Sequence, residues 1–336
     1  MTQYETPEKA PQAVSRLGLY LAPGLLFLIS FCWSCFWLYG SQKAEEALAS
    51  WMAAEKTAGR NWNCADKVIG GYPFRIELNC SSIKVTTANL RAELGSFHAV
   101  AQIYSPKLAL ADVSGPFQID SAGSLSLWTW SSMRISARFG RDLERLSITV
   151  AEFKPSDPTD RPVLMMKTAE LHLRTDTARS TEDRAVDFAL RLDGIRSSNL
   201  DALIGNQEAG LVELNGTLTQ TLGLRANAWQ SLLENWRSQN GQLLLEASRI
   251  SKGNFAFEGK GVLGLDPSHR IQGELAVGIR GASPLLAHFV PRNTAQLAGA
   301  LLERKDGSAV QMPLRFQDSR FFFGPLRSGP VLTPLY

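Results

Sequence analysis

A chain of 336 residues, 44% hydrophobic and 20% charged, is too apolar to be disordered and long enough for one large or two ordinary domains. Its formal net charge of +3 is small and evenly spread, which argues against nucleic acid as a partner. No run of Lys or Arg forms a polybasic lipid-binding patch.

Residues 1–16 are polar and hold Pro7 and Pro11, so they read as a tail without structure of its own. Leu17 to Tyr39 follows, 23 residues without a charge, long enough to cross a hydrocarbon core of roughly 30 Å. Eleven of these residues are Leu, Ile or Phe. Together they favour lipid by about 3 to 7 kcal/mol on the insertion scale. Trp33, Phe36, Trp37 and Tyr39 crowd the far end like an interfacial belt. A cleaved signal peptide is the alternative, but its apolar core spans only roughly 7–15 residues and ends at a small-x-small site. This run is longer and ends in bulky aromatics, so an uncleaved anchor is expected. Lys9 and Arg16 precede it and Lys43 and Lys56 follow, so flanking charge leaves the orientation open.

Cys32 and Cys35 form C-x-x-C inside the apolar run. With no charge or histidine nearby to lower a thiol pKa, they read as two small apolar residues and not a redox or metal pair. Cys64 and Cys80 flank a glycine-rich turn. In an oxidising compartment they would form a disulfide, worth about 3 kcal/mol for a loop of about 15 residues; free thiols are the alternative. If they pair, the body lies outside the cytoplasm and residues 1–16 lie inside.

Ser41 to Gly59 is rich in strong helix formers and reads as a stalk continuing the membrane helix. After the turn Gly70-Gly71-Tyr72-Pro73, period-two alternation takes over at Phe74, Ile76, Leu78 and Cys80. It returns at Ile148 and Val150, at Leu171 and Leu173, and at Val186 to Leu192. Further runs hold Leu243 to Ala247, Phe255 and Phe257, Ile271 to Ile279, and Met312 to Phe316. Such runs, parted by turns such as Asp266-Pro267-Ser268, predict an antiparallel sheet with one apolar and one wet face. Two helical stripes interrupt them: Trp229, Leu232, Leu233 and Trp236, and Leu297, Leu301 and Leu302 after a cap at Asn293 or Thr294. Both read as packing against the sheet. Gly194-Ile195-Arg196 and Gly278-Ile279-Arg280, each followed by a leucine-containing turn, suggest a duplicated strand–helix–strand unit.

The expected fold class is therefore mainly β (α+β): a membrane helix, then a long curved antiparallel sheet with a few packed helices. The expected division is 1–16 cytoplasmic tail, 17–39 span, 40–62 helical stalk and 63–336 body, the body having two halves at about 63–192 and 193–336.

Signals for chemistry are weak. Gly259, Gly261 and Gly264 match G-x-G-x-x-G, but Leu265-Asp266-Pro267 follows where a dinucleotide site needs a helix. Glycines that let a strand bend or pack closely are the preferred reading. His98, His172, His269 and His288 are scattered without metal-ligand spacing, and no local catalytic signature occurs. No catalytic, cofactor-binding or metal residue is assigned, no cofactor is expected, and an enzyme is not expected.

Trp62-x-Cys64, Gly70-Gly71-Tyr72-Pro73-Phe74-Arg75-Ile76 and Cys80 resemble the bacterial family named domain of unknown function 2125. Asp201-Ala202-Leu203, Gly259 to Asp266, Gly273-Glu274-Leu275, Phe323 to Leu326 and Pro334-Leu335-Tyr336 fit it too. The resemblance implies a single-span envelope protein of alphaproteobacteria, distantly similar to AsmA-like proteins with curved sheets linked to lipid movement. It supports pairing of Cys64 with Cys80 and brings no catalytic residues. The expectation is a single-pass protein of the bacterial inner membrane, its body in the periplasm, binding or conveying phospholipid or another lipid on an apolar sheet face. An envelope scaffold that binds other proteins is the alternative.

Overall fold

The computed structural model describes residues 17–121, 124–140, 143–155, 164–176, 184–221, 229–288, 293, 309, 311–317, 319–323, 326–327 and 332–336. One helix, α1 (Leu17–Thr57), runs without a break from the apolar stretch through the charged segment after it. Its 41 residues would extend about 60 Å at the usual rise. The chain then enters strands, and Asn61 and Trp62, expected at the end of the stalk, are the first residues of β1.

The first half of the body is a run of long strands, each broken once at the same level. β1 (Asn61–Ala65) leads to β2 (Val68–Gly70), β3 (Arg75–Cys80) to β4 (Ser82–Thr86), and β5 (Leu90–Leu94) to β6 (Phe97–Gln102). β7 (Ser105–Val113) leads to β8 (Phe117–Ser121), and β9 (Ser124–Thr129) to β10 (Ser132–Phe139). β11 (Leu143–Pro155) makes the same bend at Glu152, whose φ is +53°. Strands β1, β4, β5, β8, β9 and the end of β11 pair antiparallel as a short arm. Strands β2, β3, β6, β7, β10 and the rest of β11 pair as a long arm.

At the bend, backbone bonds continue from run to run: Ser81 N donates to Ala65 O, Ser114 N to Ser96 O, and Ser131 N to Ala151 O, at 2.8 to 3.0 Å. No buried amide is stranded where the sheet turns at these points. Trp130, 8% exposed, sits at the bend and donates its indole N–H to Val113 O at 2.7 Å. Trp128 and Trp130 both lie nearly parallel to the Phe153 ring, with centroids 5.0 and 6.5 Å away.

Beyond β11 only the long arm continues. It adds β12 (Met166–Thr175), β13 (Val186–Ile195), β14 (Gly210–Leu218), β15 (Leu243–Lys252), β16 (Phe255–Leu265), β17 (Ile271–Arg280), β18 (Gln311–Gln317), β19 (Arg320–Phe323) and β20 (Leu326–Arg327). Each pairs antiparallel with the one before. The expected mainly β architecture with one long antiparallel sheet is what forms. The suggested division at residue 192 falls inside β13, which pairs with β12 and β14 on its two sides and shifts register between Asp193 and Ile195. The change in architecture comes earlier, at β11, where the short arm stops.

The leucine-containing turns after β13 and β17 are helices, α2 (Ser198–Ile204) and α4 (Ser283–Leu286), and they touch each other. The first suggested unit expects a helical patch and a strand after this turn; β14 comes first, before the patch that forms the next helix. In the second, most of the chain between α4 and β18 lies outside the described residues, as do Leu297, Leu301 and Leu302. The other stripe forms α3 (Trp229–Ser238), whose buried Trp236 donates to Thr219 O at 2.8 Å.

Candidate functional site

Direct cross-strand neighbours share a face of a sheet. One row of the long arm passes Leu78, Ala99, Ala111, Ile135, Ile148 and Leu171. It continues through Leu190, Leu214, Ser248, Gly259, Val277 and Met312. Ten of these twelve residues, each on its own strand, are apolar; Ser248 and Gly259 complete the row. The next row, one residue along, carries the opposite face: Asn79, His98, Asp112, Arg134, Thr149, Glu170, Arg191, Glu213, Arg249 and Glu258. On that face carboxylates and guanidinium groups pair across strands. Arg174 meets Asp187 at 2.8 Å, Arg191 meets Glu213, Arg249 meets Glu258 at 3.3 Å, and Arg315 meets Glu274 at 3.0 Å. Exposed pairs of this kind contribute only about 0 to 1 kcal/mol each, so they keep that face wet more than they hold the sheet.

The apolar row is unevenly covered. From Leu78 to Leu214 every residue is half-buried, whereas Ser248 is 6% and Val277 0% exposed. Leu265, Leu275 and Phe255 are buried in the same later part. The short arm carries its own apolar row, Cys64, Ile83, Leu94, Phe117 and Trp128. The Cys64–Cys80 disulfide, with Cα atoms 5.3 Å apart, joins this face to the apolar face of the long arm. Trp128 and Trp130 do the same through Phe153 at the bend. The two arms therefore present one connected apolar surface.

Helix α1 is docked on this sheet from Trp33 onward. The Trp33 indole donates to Pro73 O at 2.8 Å and the Trp37 indole to Arg75 O at 2.7 Å. Ser34 Oγ and Tyr72 OH share a hydrogen bond at 2.8 Å. The loop that receives them turns at Gly71, with φ +97°, where a Cβ would lie 2.7 Å from Arg75 O. Only glycine fits both demands. Higher up, Trp51 meets Trp62 with ring centroids 5.3 Å apart, and Lys67 meets Glu45 at 2.8 Å. Glu55 takes Arg60 at 2.6 Å and the Trp62 indole at 3.0 Å. The hydrogen bond from Arg60 holds the Glu55 carboxyl down at about 2, against the burial that would raise it. The segment expected as a stalk is thus a strut laid against β1 to β3.

Most of the remaining residues singled out by the sequence serve as fastenings, but the two helix cysteines do not. Cys32 and Cys35 are free and exposed on α1. Gly261 faces Glu274 across β16 and β17, where a Cβ would collide with the Glu274 carbonyl oxygen, so close strand approach explains this glycine. Asp201 Oδ1 lies 2.7 Å from Nζ of Lys252, a lysine only 3% exposed, whose ammonium donates to Glu208 O. That Asp201 oxygen is held by charge, since no aligned hydrogen bond reaches it. Tyr336 donates to Glu234 at 2.8 Å and stacks on His269 at 4.4 Å. Arg237, then Tyr336, hold the Glu234 carboxyl down at about 2. His98 lies 3.8 Å from Glu77, and His172 hydrogen-bonds Ser147 at 3.0 Å.

A cleft of about 1000 Å³ between α3 and β16 to β18 is lined by Arg237, Arg270 and Arg315. Each of these guanidinium groups is already paired, with Glu234, Asp266 and Glu274. Among the described residues no three of His, Cys, Asp and Glu gather where they could hold a metal ion. The apolar face, the helix and the turn at Gly70 to Pro73 were legible as patterns; the bend, the docking of the helix on that turn and the Asp201–Lys252 pair carried no local signal.

No curated protein and no solved structure matches the chain. A family model described as an uncharacterized protein conserved in bacteria matches residues 37–331, from the docked part of α1 to beyond the last strand. The chain belongs to this bacterial family, domain of unknown function 2125.

Proposed function

We propose that this is a single-pass protein of the bacterial inner membrane, its N-terminus cytoplasmic and its body periplasmic, that shelters lipid acyl chains on the apolar face of the bent sheet. The observation that carries the reading is the apolar row over twelve strands, half-buried from Leu78 to Leu214, backed by a row of polar and charged residues. A contiguous apolar surface left partly open marks a ligand or partner site. Helix α1 holds a stretch with mean hydropathy 1.8, none of it buried in the body, that is long and apolar enough to cross a membrane. The Cys64–Cys80 disulfide fits an oxidising compartment, and the reading assigns no catalysis.

The test uses neighbouring residues on opposite faces. A photoreactive p-benzoylphenylalanine replaces Leu171 or His172 in the full chain in cells, followed by irradiation and mass spectrometry. Lipid adducts at position 171 and not at 172 are expected. Equal labelling at both positions, or no lipid at 171, would refute the reading. A scaffold that binds protein partners is the second reading, favoured by the closure of the same face around Val277 and Leu275. It predicts protein adducts at position 171 instead.

A further inference from the structure

The loop that receives α1 has a depth fixed by the helix itself. Counting from Leu17 at about 1.5 Å per residue, Trp33 lies about 24 Å and Trp37 about 30 Å along the axis. A hydrocarbon core is roughly 30 Å thick, so these tryptophans sit at its far boundary. Trp33 and Trp37 are hydrogen-bonded to Pro73 and Arg75, and Ser34 to Tyr72. The loop before β3 is thereby tied to the same depth. Its two aromatics lie against the helix tryptophans, Tyr72 5.5 Å from Trp37 and Phe74 5.9 Å from Trp33 between ring centroids, and still remain 57% and 58% exposed.

Pairing extends this level along one edge of the sheet. Arg75 lies opposite Gln102, which places the β6–β7 turn beside the loop, with Tyr104 at 63% exposure. Leu108 lies opposite Arg138, so the end of β10 comes next, with Phe139 at 45% exposure. Gly40 of α1 also sits against Ile76 and Ile103, holding the helix close to this edge. Three neighbouring places on one edge, a loop, a turn and a strand end, therefore carry exposed aromatics beside a membrane-length helix. A soluble surface seldom gathers such residues at one edge, whereas the headgroup boundary of a bilayer favours Tyr and Trp.

We infer that this edge of the sheet, formed by the loop at Tyr72 to Phe74, the turn at Tyr104 and the end of β10 at Phe139, is seated in the outer interface of the bilayer that α1 crosses. The apolar row of the sheet then starts beside the lipid at Ile76 and Leu78, and an acyl chain could pass onto it without crossing open water. Arg75 at this level is paired with Glu77 at 3.2 Å and keeps its side chain 61% exposed. The inference rests on the membrane-anchor part of the function proposed above, and its test separates the two.

The full chain, with Cys32→Ser and Cys35→Ser and the disulfide intact, is reconstituted in phosphatidylethanolamine–phosphatidylglycerol bilayers. A nitroxide is attached in turn through Phe74→Cys, Tyr104→Cys, Phe27→Cys and Lys84→Cys. Collision with oxygen, which concentrates in lipid, is compared with collision with a water-soluble nickel chelate. Oxygen should dominate at 27 and exceed the chelate at 74 and 104, while the chelate dominates at 84 on the short arm. Chelate-dominated collisions at both 74 and 104, with oxygen dominant at 27, would overturn the inference and leave the anchor standing. Chelate-dominated collisions at 27 as well would overturn both.

Discussion

Trp130 is the residue on which the bend can be tested. It is 8% exposed, donates to Val113 O at 2.7 Å, and shares Phe153 with Trp128. Trp130→Ala removes a buried indole from the level at which all six strand runs turn. Large-to-small replacement of a buried Trp costs about 3 to 5 kcal/mol. The unsatisfied Val113 carbonyl adds about 1 to 3 kcal/mol unless water reaches it. Trp130→Phe keeps most of the ring and loses only the donor, so it should cost about 1 to 3 kcal/mol. With a urea slope near 3 kcal/mol/M, the Ala variant should unfold roughly 1 to 2.7 M earlier than the parent, and the Phe variant roughly 0.3 to 1 M earlier. The assay is urea unfolding of the full chain in micelles, followed by far-ultraviolet circular dichroism. If Ala lowers the midpoint no more than Phe does, the indole does not wedge the bend and the reasoning fails.

Three other predictions follow from the fastenings. In unreduced full chain taken from cells, alkylation after unfolding should label Cys32 and Cys35 but not Cys64 or Cys80; Cys64→Ser should cost about 3 kcal/mol in the chain-entropy model, read as an earlier urea midpoint. Asp201→Ala strips the buried Lys252 ammonium of its counter-charge and should cost about 3 to 5 kcal/mol, whereas Asp201→Ala with Lys252→Met should recover most of that loss in the same unfolding assay. The Glu55 carboxyl is depressed from 4.5 to about 2, so the stability it adds is complete above pH 4.5 and is lost as pH falls toward 2. Limited pepsin cleavage near Gly59 should therefore rise across that window in the parent, and Glu55→Gln should flatten that rise.

Much of the long arm was legible because its strands alternate large apolar and polar residues over ten or so positions, as at Val186 to Leu192 and Ile271 to Ile279. The strands between Ser82 and Phe139 were not. Their inward positions are often alanine, with Ala99 and Ala101 opposite Ala111 and Ala109, which blurs the hydropathy alternation. Each run is also broken by the bend into pieces of five to nine residues, too short for the pattern to assert itself. β14 escaped notice because Gly216 takes one of the inward places that Val212, Leu214 and Leu218 otherwise fill with large apolar side chains.

The order of residues alone determined an apolar helix of membrane length, a sheet with one oily side, and two cysteines at a spacing able to pair, since each depends on neighbours within a few positions. The tertiary structure alone decided that the supposed stalk lies against the sheet, that six strand runs turn at one level, and that the oily side is open over β3 to β14 and closed near Val277. Those features arise between residues far apart in the chain, such as Trp33 with Pro73 and Trp130 with Val113, where no local period connects the partners.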